Sequence, residues 1–206
     1  MPGSPRGERL GVLGGTFDPP HRGHVAAARA CVEQLGLDRV LFVVANDPWQ
    51  KSPRRSVTPA SHRLAMVEAV VGSVPRAEAS RIELERGGPS YTVDTVEALS
   101  AAARARGDPE PQQFLIVGAD VVPTLGTWHR ADDLARLVIV AVVRRPGSPE
   151  PAGLPGWRLE RVDGADVAVS SSQVREAVRA GQPLSDLVPE PVERYIRAHS
   201  LYAVPR

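Results

Sequence analysis

Two histidines lie three residues apart in His21-Arg22-Gly23-His24, directly after a glycine-containing turn. On the first turn of a helix, side chains at that spacing share one face. Both imidazoles can then point at one anion. The preceding stretch, GVLGGTFDPP, reads as the end of an apolar strand (Leu10, Val12, Leu13) that runs into Gly14-Gly15 and then a turn with Asp18, Pro19 and Pro20. Glycines at such a turn let backbone N–H groups approach a bulky anion. A helix N-terminus adds unpaired N–H donors and the positive end of the dipole. Strand, glycine turn and helix start together form a phosphate site. The pattern is not G-x-G-x-x-G and lacks the lysine of a P-loop. The plain alternative is a strand-to-helix turn with two solvated histidines.

A second cluster lies near the other end of the chain, in Val169-Ser170-Ser171-Ser172-Gln173-Val174-Arg175. Serines at a helix start supply hydroxyls and expose backbone N–H groups. Arg175, one turn on, can reach the same anion with a bidentate fork. Ordinary capping beside a surface arginine is the competing reading.

The elements that must position these clusters follow from the pattern of apolar residues. The first strand is expected over about Arg9–Leu13, and the helix after His24 runs to about Leu35, with Gly36 as its stop. Arg39–Ala45 is nearly all apolar, as in a parallel strand buried on both faces. The polar loop from Asn46 to Val57 leads to a helix opened by Thr58-Pro59, with Thr58 as cap. A third strand, partly exposed and near a sheet edge, is predicted over Ala79–Leu84, and a helix from Val93 to about Arg106. Further strands are expected at Phe114–Val117 and Leu137–Val143, with a sixth at Arg158–Val162 or Val167–Val169. Ser170–Ser172 would cap a helix from Gln173 to about Ala180, and a last helix spans about Pro191–His199.

Strands that alternate with helices imply right-handed crossovers. The expected fold is α/β: a Rossmann-like doubly wound parallel sheet with a small C-terminal helical segment. It would form one domain over 1–206, with a flexible stretch at 1–8. Ligands of such sheets sit at the carboxyl ends of the strands. His21, His24, Lys51, Asp120 and Arg145 all fall there.

The 206 residues suffice for one sizeable core. With 42% hydrophobic and 24% charged residues the profile is that of a globular protein. A net charge of +1 argues against nucleic acid or a membrane surface as partner, so phosphate binding must be local. The longest apolar run, Leu137–Val143, is too short to span a bilayer. Met1–Arg9 is polar and lacks the apolar segment of a signal peptide, so a cytoplasmic location is expected. The lone Cys31 excludes an internal disulfide and a cysteine metal cluster.

The His21-Arg22-Gly23-His24 segment resembles the H-x-G-H signature of the nucleotidyltransferase superfamily that transfers AMP or CMP from a nucleoside triphosphate. The longer string GGTFDPPHRGH is similar to its nicotinate-nucleotide adenylyltransferase branch. VSSSQVR resembles the second signature, I-S-S-T-x-x-R, with Ser172 where threonine is usual. Gly88-Pro89-Ser90-Tyr91-Thr92-Val93-Asp94-Thr95 is close to that branch's P-S-Y-T-x-D-T, and Gly118-Ala119-Asp120 is followed eight residues on by Trp128. Arg145-Pro146-Gly147 and the closing segment Leu187–Tyr202 also match. The likeness runs from Gly11 to Tyr202. One departure stands out: many family members carry P-P-H-K or P-P-H-R after the second strand, and this chain has Asp47-Pro48-Trp49-Gln50-Lys51. Trp49 is a candidate cover for the site.

The resemblance implies adenylyl transfer from ATP to nicotinate mononucleotide, giving deamido-NAD and pyrophosphate in NAD biosynthesis. The implied catalytic residues are His21, His24, Lys51 and Arg175. Gly14, Gly15, Thr16, Phe17, Gly118, Asp120, Ser171 and Ser172 would join His21, His24 and Arg175 around ATP. Lys51, Ser90, Tyr91, Thr92, Trp128 and Arg145 would hold the mononucleotide, with Trp128 stacked on the pyridine ring. A magnesium ion would ride on the ATP phosphates, with no protein metal cage. Homo-oligomerisation is possible. The alternatives are the same chemistry on nicotinamide mononucleotide or another phosphate monoester, and a non-catalytic nucleotide-binding module.

Overall fold

Apolar residues alternate between two faces along each central strand, and both faces are covered. The computed structural model describes residues 7–47, 57–144, 153–164 and 167–203. The first half contains β1 (Arg9–Gly15), α1 (Arg22–Leu35), β2 (Arg39–Val44), α2 (Ala60–Val71), β3 (Ala77–Ser80) and α3 (Ile82–Arg86). α4 (Thr92–Arg106), β4 (Gln112–Gly118), a 3₁₀ segment (Val122–Thr127), α5 (Ala131–Leu137) and β5 (Val138–Arg144) follow. The last elements are β6 (Leu159–Asp163), α6 (Ser171–Arg179) and α7 (Glu190–Ala198).

The strands form one sheet in the order β3-β2-β1-β4-β5-β6, every pairing parallel. This is the expected doubly wound sheet. The chain steps outward from β1 to β3, then returns to β4 on the other side of β1. The order therefore reverses between β1 and β4, which opens a crevice at their carboxyl ends.

On one face Val40, Phe42, Phe114, Ile116 and Ile139 pack with residues of α1, α2, α6 and α7. On the other, Leu115, Val117, Val138 and Val140 pack with Val93 and Val96 of α4 and Leu134 of α5. Leu10, Val12, Leu41 and Val43 continue that second face, against Ile82 and Leu99. The period of two along each strand thus assigns every helix to a side.

Several boundaries differ from expectation. β1 runs to Gly15, so the glycine pair still belongs to the strand. α1 starts at Arg22, which puts His24 inside the first turn. β3 ends at Ser80, and the stretch read as its second half is the helix α3. Alternation over so few residues does not separate strand from helix. Here Glu83 turns inward to meet Thr95 while Ile82 packs beneath the sheet. Pro59, not Thr58, is the N-cap of α2. The Thr58 carbonyl instead accepts from Arg63 Nε at 2.8 Å. Ser170 alone caps α6, which begins at Ser171: its Oγ accepts from Gln173 N at 3.3 Å and its N–H donates to Gln173 Oε1 at 2.7 Å. The first of the two candidate stretches supplies β6, and Val167–Val169 is not a strand. Among the described residues no helix is long and apolar enough to cross a membrane.

Cys31 is fully buried in α1, and burial pushes its thiol up to about 12. The reactive species is the thiolate, so a thiol reagent at pH 8 should leave the native protein unlabelled and label one site only after denaturation. Labelling monitored by mass with and without urea checks this.

Candidate active site

The turn after β1 brings the two histidines together as a stacked pair, ring centroids 3.7 Å apart and 27° between planes. The His21 backbone N–H donates to His24 Nδ1 at 3.1 Å. Nδ1 is therefore an acceptor, and the ring proton of neutral His24 sits on Nε2. The Phe17 ring meets His24 edge-on at 4.9 Å. Gly23 has a steric reason: a Cβ there would lie 3.0 Å from His21 Nδ1, where the imidazole folds back over the helix start. Gly14 has the opposite one, since a Cβ there would enter open space at the crevice.

Below the histidines, the loop from Thr16 to Pro19 is held by side chains from distant elements. Arg63 of α2 donates to the Thr16 carbonyl at 2.9 Å. Arg175 of α6 donates to the Asp18 carbonyl at 2.6 Å, and Ser171 Oγ to the Pro19 carbonyl at 2.8 Å. Tyr202 donates its hydroxyl to Asp18 Oδ1 at 2.9 Å. Phe17 takes a left-handed φ of 50° within this loop, a conformation that costs a bulky residue on the order of 1–3 kcal/mol. Its ring is buried against Phe42. The ring of Phe17, a residue expected at the nucleotide, thus lies in the core and edge-on to His24.

Two recesses open at the carboxyl edge of the sheet. The larger, about 550 Å³, lies on the α1 and α6 side and includes His21, His24, Gly118, Asp120, Ser171, Ser172 and Arg175. Ser172 Oγ accepts from the Arg175 guanidinium at 2.8 Å, so the hydroxyl at this signature position orients the arginine. A Cβ at Gly118 would come within 2.5 Å of Asp120 Oδ1, and glycine there leaves room for the carboxylate. The smaller recess, about 140 Å³, lies on the α4 side. Gly14, Gly15 and Thr16 border it on one side, and Ser90, Tyr91, Thr92 and Trp128 on the other. Ile116 and Val117 of β4 line both recesses. The glycine turn expected at ATP therefore fronts the smaller recess, while the histidines front the larger. Lys51 and Arg145, and the candidate cover Trp49, lie outside the described residues.

The turn before α4 is tied to the end of β2. Asn46 N–H donates to Ser90 Oγ at 2.8 Å, Ser90 N–H to the Asp47 carbonyl at 3.1 Å, and Asn46 Nδ2 to the Gly88 carbonyl at 2.9 Å. Ser90, expected as a ligand contact, thus uses its hydroxyl to fix the turn. Trp128 follows the 3₁₀ segment, its Nε1 buried and without a hydrogen-bond acceptor among the described residues. His129 beside it stacks on Tyr91, centroids 4.1 Å apart. Arg130, at a left-handed φ of 51°, bonds Glu97 of α4 at 2.6 Å and Asp133 of α5 at 2.7 Å. Those bonds hold the guanidinium's pKa above its ordinary value and lower both carboxylates' pKa values.

Residues 12–177 match the cytidylyltransferase-like family. A probable nicotinate-nucleotide adenylyltransferase of Acidothermus cellulolyticus is 40% identical over 199 residues, 96% of this chain and 95% of the relative. One from Bacillus pumilus is 40% identical, with 95% of this chain and 98% of the relative covered. The chain belongs to the nicotinate-nucleotide adenylyltransferase family. The fold is shared with a Plasmodium falciparum nicotinic acid mononucleotide adenylyltransferase complexed with APC, at TM-score 0.76 and 14% identity, covering 95% of this chain and 97% of that one. The same Plasmodium protein complexed with NaAD superposes at TM-score 0.75 and 15% identity over the same shares.

In this family member Arg63 is the main residue missed from sequence. It lies in the helix expected after Thr58-Pro59, is 2% exposed and donates to carbonyls at the ends of both β1 and β2. Burial lowers its pKa from the ordinary value, opposed by Asp18 and Tyr202 nearby. A charged residue at a core-facing helical position was the available signal. Tyr202 gave none, because its partner is 184 residues away. Arg63→Ala leaves the Thr16 and Ala45 carbonyls without this donor. It should destabilise the fold by about 3 kcal/mol or more, each abandoned buried group costing roughly 1–3. Urea unfolding of the two proteins measures this.

Proposed function

We infer that the chain transfers the adenylyl group of ATP to nicotinate mononucleotide, forming deamido-NAD and pyrophosphate in NAD biosynthesis. The observation that carries this reading is the meeting of two recesses over the end of β4, one fronted by imidazoles and a guanidinium and the other by a helix start and an indole. ATP would occupy the larger recess and the mononucleotide the smaller. Full-length similarity to relatives of that name supports the acceptor.

In the reaction a phosphate oxygen of the mononucleotide bonds to the α-phosphorus of ATP. The bond from that phosphorus to the bridging oxygen of the β-phosphate breaks, and pyrophosphate leaves with the electron pair. The monoester is already anionic at neutral pH and no general base is needed. The chain's task is positioning and charge stabilisation. His24 would donate from Nε2 to phosphate oxygens, with its ring direction set by the His21 N–H and by Phe17. Arg175 would add positive charge at the far end of the triphosphate. Lys51 and Arg145 are assigned phosphate contacts from the family likeness. The α4 N-terminus at Tyr91–Thr92 suits the nicotinate carboxylate. Trp128 would stack on the pyridine ring.

The donors in the larger recess are imidazoles, hydroxyls and a guanidinium. Among the described residues no three His, Cys, Asp or Glu side chains converge on one point. That set fits phosphate oxygens with magnesium carried on them, and the metal would supply neutralisation of phosphate charge.

Pyrophosphate release from ATP and magnesium should be strong with nicotinate mononucleotide and weak with nicotinamide mononucleotide. Equal release would remove the carboxylate assignment, and none with either would refute the reading. His24→Ala should lower kcat by roughly 10²–10³ at near-normal KM for the mononucleotide. Trp128→Ala should chiefly raise that KM. A change confined to the KM for ATP would contradict the stacking role.

A further inference from the structure

One buried carboxylate has no part in the transfer described above. Glu83 of α3 is 6% exposed and borders the smaller recess. A carboxylate facing an acceptor that carries a phosphate and a carboxylate repels it, so direct contact is a poor use for this side chain. Its visible partner lies behind the recess. Glu83 Oε1 accepts from the Thr95 hydroxyl at 2.6 Å, within the range of charge-assisted O–H···O⁻ bonds. Thr95 is 1% exposed and lies in the first turns of α4. The Arg86 guanidinium donates to the same Thr95 oxygen at 3.2 Å.

Glu83 and Arg86 sit before the Gly87–Tyr91 turn, and Thr95 sits after it. One hydroxyl thus closes the base of the turn that presents Tyr91 and Thr92. The upper part of the turn is held separately, by Asn46 on Ser90 and Gly88. Gly87 and Gly88 both take left-handed φ values, 70° and 66°, so the turn's own backbone is permissive and its shape depends on these ties.

We propose that Glu83 and Thr95 are positioning residues for the acceptor: their bond across the base of the Gly87–Tyr91 turn sets where Tyr91, Thr92 and the α4 N-terminus meet the mononucleotide. The proposal rests on the acceptor reading of the smaller recess. It predicts an effect on mononucleotide affinity that ATP does not share.

The test uses Thr95→Val, which keeps the shape and removes the hydroxyl, and Thr95→Ser, which keeps the hydroxyl. Thr95→Val should raise the KM for nicotinate mononucleotide about tenfold, the scale of one lost hydrogen bond, and move the KM for ATP less than about twofold. Thr95→Ser should stay within about twofold of the parent on both. Glu83→Ala should shift the same KM in the same direction, and the double variant should be no worse than Thr95→Val alone, because Thr95→Val already removes the bond to Glu83 together with the contacts to Arg86 and the Tyr91 carbonyl. A second readout needs no substrate. Amide hydrogen exchange over residues 87–93 should speed up in Thr95→Val and stay at the parental rate in Thr95→Ser. Equal rises in both KM values, additive single effects, or unchanged exchange in Thr95→Val would overturn the proposal. If the parent protein released no pyrophosphate with this acceptor, the functional reading would fall, and the exchange comparison would still decide the role of the bond.

Discussion

The site depends on the backbone carbonyls of one loop finding donors. Between the end of β1 and the start of α1 the chain turns away from the sheet, and the carbonyls of Thr16, Asp18 and Pro19 have no strand or helix partner. Buried polar groups of that kind must be paired. Arg63, Arg175 and Ser171 supply the donors, from two helices that flank the loop. The left-handed Phe17 and the stacked histidines follow from a loop fixed in this way. Arg175 and Ser171 therefore have structural work beside any contact with nucleotide. The second sequence signature completes the first before a ligand arrives.

The sheet then separates two tasks. Residues one apart in a strand face opposite sides, and each recess lies on its own side of the carboxyl edge. Leu13 on one side and Gly14 on the other show how closely the boundary runs along β1. An anion-rich ligand and a ring-bearing ligand can each have suitable surroundings only a few ångströms apart. β4 is the shared wall, which matches the reversal of strand order beside it.

Much of this was legible because local patterns carry it. Arg39–Val44 reads as a buried strand and is one, and Gly36 stops α1 in a left-handed conformation as expected. The histidine spacing foretold a shared face, and the serine cluster a helix start. Several features were hidden for physical reasons. The 3₁₀ segment and α5 are short and lean on the core through few residues, Val122, Leu125 and Leu134 among them, so their periodicity is weak. α3 is five residues long, and its inward Glu83 imitates strand alternation. Arg63, Tyr202 and Ser90 act through partners far along the chain, and no local window contains them. The position of Phe17 in the motif gives no hint of a ring folded back over Gly15.

The tie between Tyr202 and Asp18 has a consequence for synthesis. A ribosome releases the strand, the glycine turn and both histidines early, and the tyrosine only after α7. The nascent chain can assemble α1 on β1 and β2 long before the Asp18 carboxylate receives its hydroxyl. Until then a carboxylate that the finished protein buries to 3% must stay hydrated. The segment after α7 thus seals a turn made far earlier, and a ribosome-stalled intermediate would hold both histidines on a loop still open to water.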